Sequence, residues 1–222
     1  VTVPSESWVE RAVDRSAAVQ RSRTRIANQV RLMLDAAQRL IRDKGDFTTQ
    51  DLVAEAGVAL QTFYRYFASK DELLLAVIGD AMIEACDRWS EAAAGITDPL
   101  ERLRFYITAP LEQFCDDNAE AGGMRFIVST HWHLHRIFPK ELAEAGKPLI
   151  DLMLTEVKSA TDSGLLRPRN PESDVWFIVE LLRATYHYYA YAAKPGSLGS
   201  DLNDVKENIW QFCRMALGAP RA

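Results

Sequence analysis

Residues 48–67 read Thr48-Thr49-Gln50-Asp51-Leu52-Val53-Ala54-Glu55-Ala56-Gly57-Val58-Ala59-Leu60-Gln61-Thr62-Phe63-Tyr64-Arg65-Tyr66-Phe67. The pattern predicts two short helices joined by a tight turn. Thr48 and Asp51 have the spacing of a capping pair, so a helix should begin near Thr49. Leu52, Val53 and Ala56 give it one apolar side. Gly57 reaches φ > 0 without steric cost, which suits the end of that helix and the turn. Val58 then plugs the corner. In the second helix Phe63 and Phe67 stand four apart on one face. The opposite face carries Leu60, Gln61, Tyr64 and Arg65, rich in hydrogen-bonding groups and free of acids. A helix presented in this way by its predecessor has the form that enters a DNA major groove. The plainer alternative is an αα-hairpin packed inside a helical domain.

Upstream, Ile26, Val30, Met33, Leu34, Ala37, Leu40 and Ile41 form one stripe of 3.6-residue period, the mark of an amphipathic helix. Gly45 should end it, with Lys44 favourable near its C-terminus. Residues before it are ambiguous. Pro4, Ser5 and Ser7 suggest a loose start, and Trp8, Val9, Ala12 and Val13 suit a short amphipathic helix. Arg21, Arg23 and Arg25 follow. They fit an arm reaching phosphates or the minor groove, or else a solvated leader. Downstream, Ser69 and Glu72 have capping-box spacing, with Asp71 in the first turn. A long helix is expected from about Lys70 to Ala94, with Leu73, Leu74, Val77, Ile78, Met82 and Trp89 as apolar contacts. Any displacement along it would reach the hairpin.

The 222-residue chain carries a net charge of −5, but unevenly. Residues 11–44 hold nine Lys/Arg (Arg11, Arg15, Arg21, Arg23, Arg25, Arg31, Arg39, Arg42, Lys44) against Asp14, Asp35 and Asp43, whereas residues 71–222 hold 15 basic and 23 acidic residues. A basic end on an acidic body suits a nucleic-acid-facing head. No run approaches the ~20 apolar residues of a membrane span, and no signal peptide is visible, so a cytoplasmic protein without membrane contact is expected. Cys86, Cys115 and Cys213 are odd in number and far apart. They form neither a disulfide framework nor a zinc motif and are expected as small buried apolar residues.

From Phe47 to Leu74 the chain resembles the tetracycline-repressor (TetR) family of transcription regulators. The pieces are Thr48-Thr49, Leu52-Val53, Ala56-Gly57-Val58, Thr62-Phe63-Tyr64-Arg65-Tyr66-Phe67 and Ser69-Lys70-Asp71-Glu72-Leu73-Leu74. The strong likeness covers about residues 24–78. Ala59 departs from the serine that often caps the reading helix in the family, and Gln61 from a glycine or proline. The resemblance implies an all-α fold. Residues 1–20 would be a flexible or short-helix arm, 21–69 a three-helix helix-turn-helix DNA-binding domain, and 70–222 a larger helical effector-binding and dimerisation domain. It also implies contact roles. Thr49 and Gln50 would touch phosphates or an edge base. Gln61 and Arg65 would read base edges, adenine and guanine respectively, and Leu60 a thymine methyl. Thr62, Tyr64, Tyr66 and Lys70 would hold phosphates, with Lys70 close to a helix N-terminus. For Tyr66, packing under the helix is the alternative. Phe63 and Phe67 belong to the core.

The remainder reads as helical. Asp98-Pro99 starts one helix, and Pro110 should kink or divide it. Gly122-Gly123 marks a break before a segment ending at Pro139. A helix from about Lys140 to Ser163 follows, bent early by Pro148 and closed by Gly164. Residues 173–193 are apolar almost all round, so that helix must be covered on every side. In the last helix, about 201–217, Leu202, Val205, Ile209, Phe212, Cys213 and Ala216 share a stripe. Pro195-Gly196 through Ser200 would be a hinge loop between the two. Pairing these last two helices with the same two of a second copy covers both, as the resemblance also implies. Such a homodimer would set two reading helices about 34 Å apart on a palindromic DNA operator.

No nucleophile motif, phosphate loop or dinucleotide fingerprint appears, so neither an enzyme nor a cofactor is expected. His131 and His135 share a helical face and offer two ligands for a metal, the alternative to polar pocket lining. Arg183, with Glu180 one turn earlier, is either half of an ion pair or an anchor for an anionic effector. The resemblance implies a cavity for a small-molecule effector. By position its expected lining is Phe105, Phe126, His131, Trp132, His135, Trp176 and Tyr186. The resulting expectation is a homodimeric repressor released from DNA by a largely apolar effector. A dimeric DNA-binding scaffold without an effector is the alternative.

Overall fold

The computed structural model describes Trp8 and residues 14–112, 119–192 and 202–220. The described residues form helices only: α1 (Ala17–Lys44), α2 (Thr49–Ala56), α3 (Leu60–Tyr66), α4 (Lys70–Ala92), α5 (Pro99–Glu112), α6 (Ala119–Ile137), α7 (Pro139–Asp162), α8 (Pro171–Ala192) and α9 (Leu202–Ala216). The expected all-α fold with an N-terminal helix-turn-helix is what the chain adopts.

Local chemistry sets the ends of the hairpin. The Thr48 hydroxyl accepts from the Asp51 amide at 3.1 Å, and the Asp51 carboxylate accepts from the Thr48 amide at 2.9 Å. That reciprocal pair satisfies two amides which a helix start leaves over. Gly57 takes the left-handed conformation (φ 65°, ψ 31°) and turns the chain. α3 starts at Ala59 with no side-chain cap. At α4, Ser69 accepts from the Glu72 amide, but Glu72 answers to the amide of Ala68, one residue before the expected partner.

Four expectations change. α1 begins at Ala17, so Arg21, Arg23 and Arg25 ride on a helix rather than on an arm, and Arg23 pairs with Asp14 at 2.7 Å. Ile26, counted in the apolar stripe, is 44% exposed because the first turns of α1 extend beyond the packed domain. Pro110 does not divide its helix, and α6 runs through Gly122 and Gly123. In α9, Trp210 and Cys213 turn inward, as does Leu217 just after it, whereas Phe212 and Met215 are 57% and 63% exposed. The expected hinge loop at 195–200 lies outside the described residues.

Two apolar clusters organise the chain. The first gathers Met33, Leu40, Phe47, Leu52, Phe63 and Phe67 from α1–α3 with Leu73, Leu74, Val77 and Ile78 of α4. Leu134 of α6 and Leu142 of α7 complete it, so the hairpin domain is seated on the body. The second cluster joins Trp89 of α4 to Leu103, Ile107, Met153, Val157, Leu182 and Trp210. α4 therefore belongs to both. Polar staples lock the angles between helices. Arg39 Nε donates to Glu55 at 2.8 Å across α1 and α2, and Arg31 pairs with Asp80 of α4 at 2.6 Å. In the body, Arg102 donates to Glu156 at 2.8 Å and to the Ile96 carbonyl at 2.7 Å, which gives the buried carboxylate the partner it requires. At the far end the turn after α9 lies against the α7–α8 loop. Gly218 (φ 72°) is needed there, since a Cβ would stand 2.5 Å from the Arg167 carbonyl oxygen.

Candidate functional site

α3 is seven residues long and holds its orientation by burying one side. Phe63 is fully buried and lies 5.9 Å, ring centre to ring centre, from Phe67. Because 3.6 residues make a turn, Gln61, Tyr64 and Arg65 then face outward together with Leu60, and all four are exposed. Tyr64 packs edge-on against Phe63 at 5.0 Å, so its ring position is supported from below. Among the described residues Arg65 has no ion pair, unlike Arg31 and Arg39 nearby. An exposed guanidinium beside an exposed amide is a donor–acceptor set suited to base edges. Gln50 is exposed at the start of α2, with Thr49 and Thr62 half-buried.

The other two expected contact residues are engaged within the domain. The Tyr66 hydroxyl donates to Gln29 Oε1 at 2.6 Å, tying α3 to α1, and its ring packs on the first cluster. Tyr66 is thus packed and hydrogen-bonded within its own domain. Lys70 turns back onto the α1–α2 loop. Its ammonium bonds the Asp46 carboxylate and the Phe47 carbonyl and lies 4.6 Å from the centre of the Phe47 ring. The bond from Lys70 holds the Asp46 carboxyl below its ordinary pKa. A phosphate at Lys70 would have to displace Asp46.

The body contains a cavity of about 120 Å³ between α4, α6, α7 and α8. Ile78, Met82 and Trp89 enter from α4, His131 from α6, and Arg183 and Tyr186 from α8. Of the seven expected lining residues, His131 and Tyr186 are there, and the other five do not line this cavity. Phe105 packs on the second cluster beside Tyr106, and Phe126 on the first. Trp132 is 51% exposed and meets His135 and His187 edge-on outside. His135 is exposed, and Trp176 is 48% exposed against Phe177. On α6, Trp132 is turned about 100° from His131 and faces outward. Reading by position missed Met82, Trp89 and Gly146. The one available signal was Arg183, a cation within an apolar helix.

Electrostatics in the cavity are unusual. His131 Nδ1 is buried with no hydrogen-bond partner. Burial, helped by the charges of Arg183 and His135, pushes the His131 pKa down to about 4, so the ring is neutral at pH 7. Arg183 Nη1 donates to both oxygens of Glu180, at 2.8 and 3.1 Å. Burial lowers its pKa from the ordinary value and the Glu180 charge opposes this. Tyr186 is pushed up by burial, and its hydroxyl reaches the Ile107 carbonyl oxygen at 3.3 Å.

The metal alternative loses its footing. His131 and His135 stack with ring centres 6.1 Å apart, and His133 instead meets Asp71 of α4 at 3.1 Å. Among the described residues no three His, Cys, Asp or Glu side chains gather to hold an ion. Burial raises the Cys86 and Cys213 pKa values to about 11 and about 12, so both remain inert thiols. Cys115 lies outside the described residues. No helix among them is long and apolar enough to cross a membrane.

Residues 33–77 match the family described as bacterial regulatory proteins, tetR family. No curated protein matches the chain by sequence. Solved structures share its fold. One is FadR of Thermus thermophilus, a TetR-family transcriptional repressor in complex with lauroyl-CoA. It has 20% identity and a TM-score of 0.66, over 87% of this chain and 97% of that one. RolR in complex with resorcinol has 16% identity and a TM-score of 0.63, over 90% and 97%. Reduced NemR of E. coli has 15% identity and a TM-score of 0.64, over 87% and 99%.

Proposed function

We propose that this chain, a transcription regulator with a tetR-family helix-turn-helix domain, is a homodimeric repressor that grips a palindromic operator and is released by a small, largely apolar effector. The observation that carries the reading is the double membership of α4. Its first turns are core to the hairpin domain through Leu73, Leu74 and Val77, and Met82 and Trp89 further along form a wall of the cavity. A molecule that moves this wall moves the seat of α3. To empty an operator it must favour the non-binding state by a few kcal/mol.

Lauroyl-CoA and resorcinol, found in FadR and RolR, are unlike one another. The shared fold thus supports an effector without naming it. A cavity of about 120 Å³ suits a ring more than a long acyl chain. Pairing through α8 and α9 is supported by Trp176, Phe177, Tyr188, Phe212 and Met215, which expose 48–63% of their surface on those two helices. Large exposed apolar side chains on neighbouring elements mark an interaction face. A cytoplasmic site of action follows from a DNA partner.

Selection of bound DNA from a random pool tests the reading, with an inverted repeat as the expected product. Arg65→Ala should weaken operator binding by about 1–3 kcal/mol and relax preference at one base pair, with stability within about 0.5 kcal/mol. Unchanged discrimination in Arg65→Ala and Gln61→Ala would remove the base-contact assignment. Phe177→Glu should shift sedimentation from dimer to monomer, and an undisturbed dimer would exclude that face.

A further inference from the structure

The cavity retains polar capacity that its apolar walls leave unused. His131 lines it, and Nδ1 of that ring is buried with no partner. A neutral imidazole nitrogen either donates or accepts, according to tautomer. Arg183 also lines it, with Nη2 4.0 Å from the position a Cβ would take on Gly146, itself a wall residue. Nη1 is committed to Glu180, so the guanidinium charge is already offset. An anion entering here would have to compete with a fixed carboxylate; a neutral acceptor would not.

Most of the remaining wall is apolar, with Ile78, Met82, Trp89, Leu149, Val179 and Leu182, and the Tyr186 hydroxyl is already directed to the Ile107 carbonyl. Its volume of about 120 Å³ is of the order of the roughly 150 Å³ cavity that accepts one benzene ring. We propose that the cavity takes a compact one-ring molecule bearing a hydroxyl, which donates to His131 and accepts from Arg183. A hydroxyl is the smallest group that does both. A hydrocarbon of the same shape fills the space but leaves the imidazole nitrogen unsatisfied, and a carboxylate at pH 7 has no proton to give it. Burial keeps His131 neutral at pH 7, which leaves one of its two ring nitrogens able to accept, Nδ1 in the arrangement proposed. This inference rests on the cavity being the effector site and names the chemistry that site selects.

Calorimetric titration of the full chain at pH 7 with phenol, toluene and benzoate tests it. Phenol should bind about tenfold tighter than toluene, the factor one well-made buried hydrogen bond supplies, and tighter than benzoate. In His131→Leu, shown folded by its thermal transition, phenol should fall to the level of toluene while toluene is unchanged. Gly146→Leu, which fills the cavity, should abolish both. Toluene equal to phenol, benzoate tightest of the three, or an unaltered phenol-to-toluene ratio in His131→Leu would overturn the hydroxyl assignment while leaving an effector cavity in place. Binding that survives Gly146→Leu would place the probe elsewhere and overturn it too. No binding by any probe would overturn the assignment and the effector reading together.

Discussion

The core beneath α3 and the core around the cavity are assembled from the same kinds of side chain but to different ends. Beneath α3, Met33, Leu52 and Phe63 are fully buried, and the polar groups around them are capped or paired. The cavity is lined by His131, whose Nδ1 is buried without a partner, and by Arg183, which is part-buried and paired with Glu180. A closed core resists deformation because interiors are packed near crystal density. A core with a void and unused polar capacity can gain from an occupant. The head is thus closed, whereas the body has room for an occupant, with α4 common to both.

The comparison can be broken first at its tightest point. Phe63→Ala should cost about 3–5 kcal/mol in denaturant unfolding and abolish operator binding, since the hole cannot close under a seven-residue helix. A loss under about 1 kcal/mol would mean the head is as pliable as the body. Next comes proton uptake in the body. His131 has a folded pKa of about 4 against an ordinary 6.5, so the unfolded chain binds the extra proton between those values. Stability therefore rises with pH across that window. Stability present above pH 6.5 is lost as pH falls toward 4, by less than the full shift would give because the imidazole is only part-buried. His131→Leu should flatten that slope, and an unflattened one would mean that His131 is not the group responsible. The lowered carboxyls of Asp46 and Asp51 act separately, with stability lost only as pH falls below their ordinary 3.8.

Smaller effects sharpen the contrast. Thr48→Ala removes the α2 cap and should cost about 1 kcal/mol, seen as a lower denaturation midpoint with unchanged slope. Gly146→Ala should do the opposite. The nearest atom to its new Cβ is 4.0 Å away, and α7 gains up to about 1 kcal/mol in helix propensity. Shrinking a side chain in the head destabilises, whereas adding one at the cavity does not. A destabilised Gly146→Ala would mean that the cavity is already full.

The hairpin was legible because its causes are local. Thr48, Asp51 and Gly57 act within one turn of the backbone, and Phe63 with Phe67 defines a face by spacing alone. The dual burial of α4 could also be read, from an apolar pattern that starts at its cap and continues to Trp89. Tyr66 and Lys70 were less legible, because Gln29, Asp46 and Phe47 meet them from 23 or more positions away in the chain. Nothing in the neighbourhood of either residue announces that partner. The cavity was the hardest to read. Five of its seven expected residues lie elsewhere, since aromatic content says nothing about which face of α6 or α8 meets a void.

From its order of residues alone this protein has a capped hairpin, a helical body, a basic head on an acidic remainder, and an outward Gln61–Arg65 face. Those follow from periodicity and backbone chemistry within a few residues. Only the crossing of α4, α6, α7 and α8 decided that His131 and Arg183 share a cavity while Trp132 and Trp176 face outward. Helices distant in sequence fix one another's rotation by filling space between them, and that angle is a property of the assembled pack. A helix such as α8, apolar on nearly every side, has no pattern of its own from which the angle could be taken.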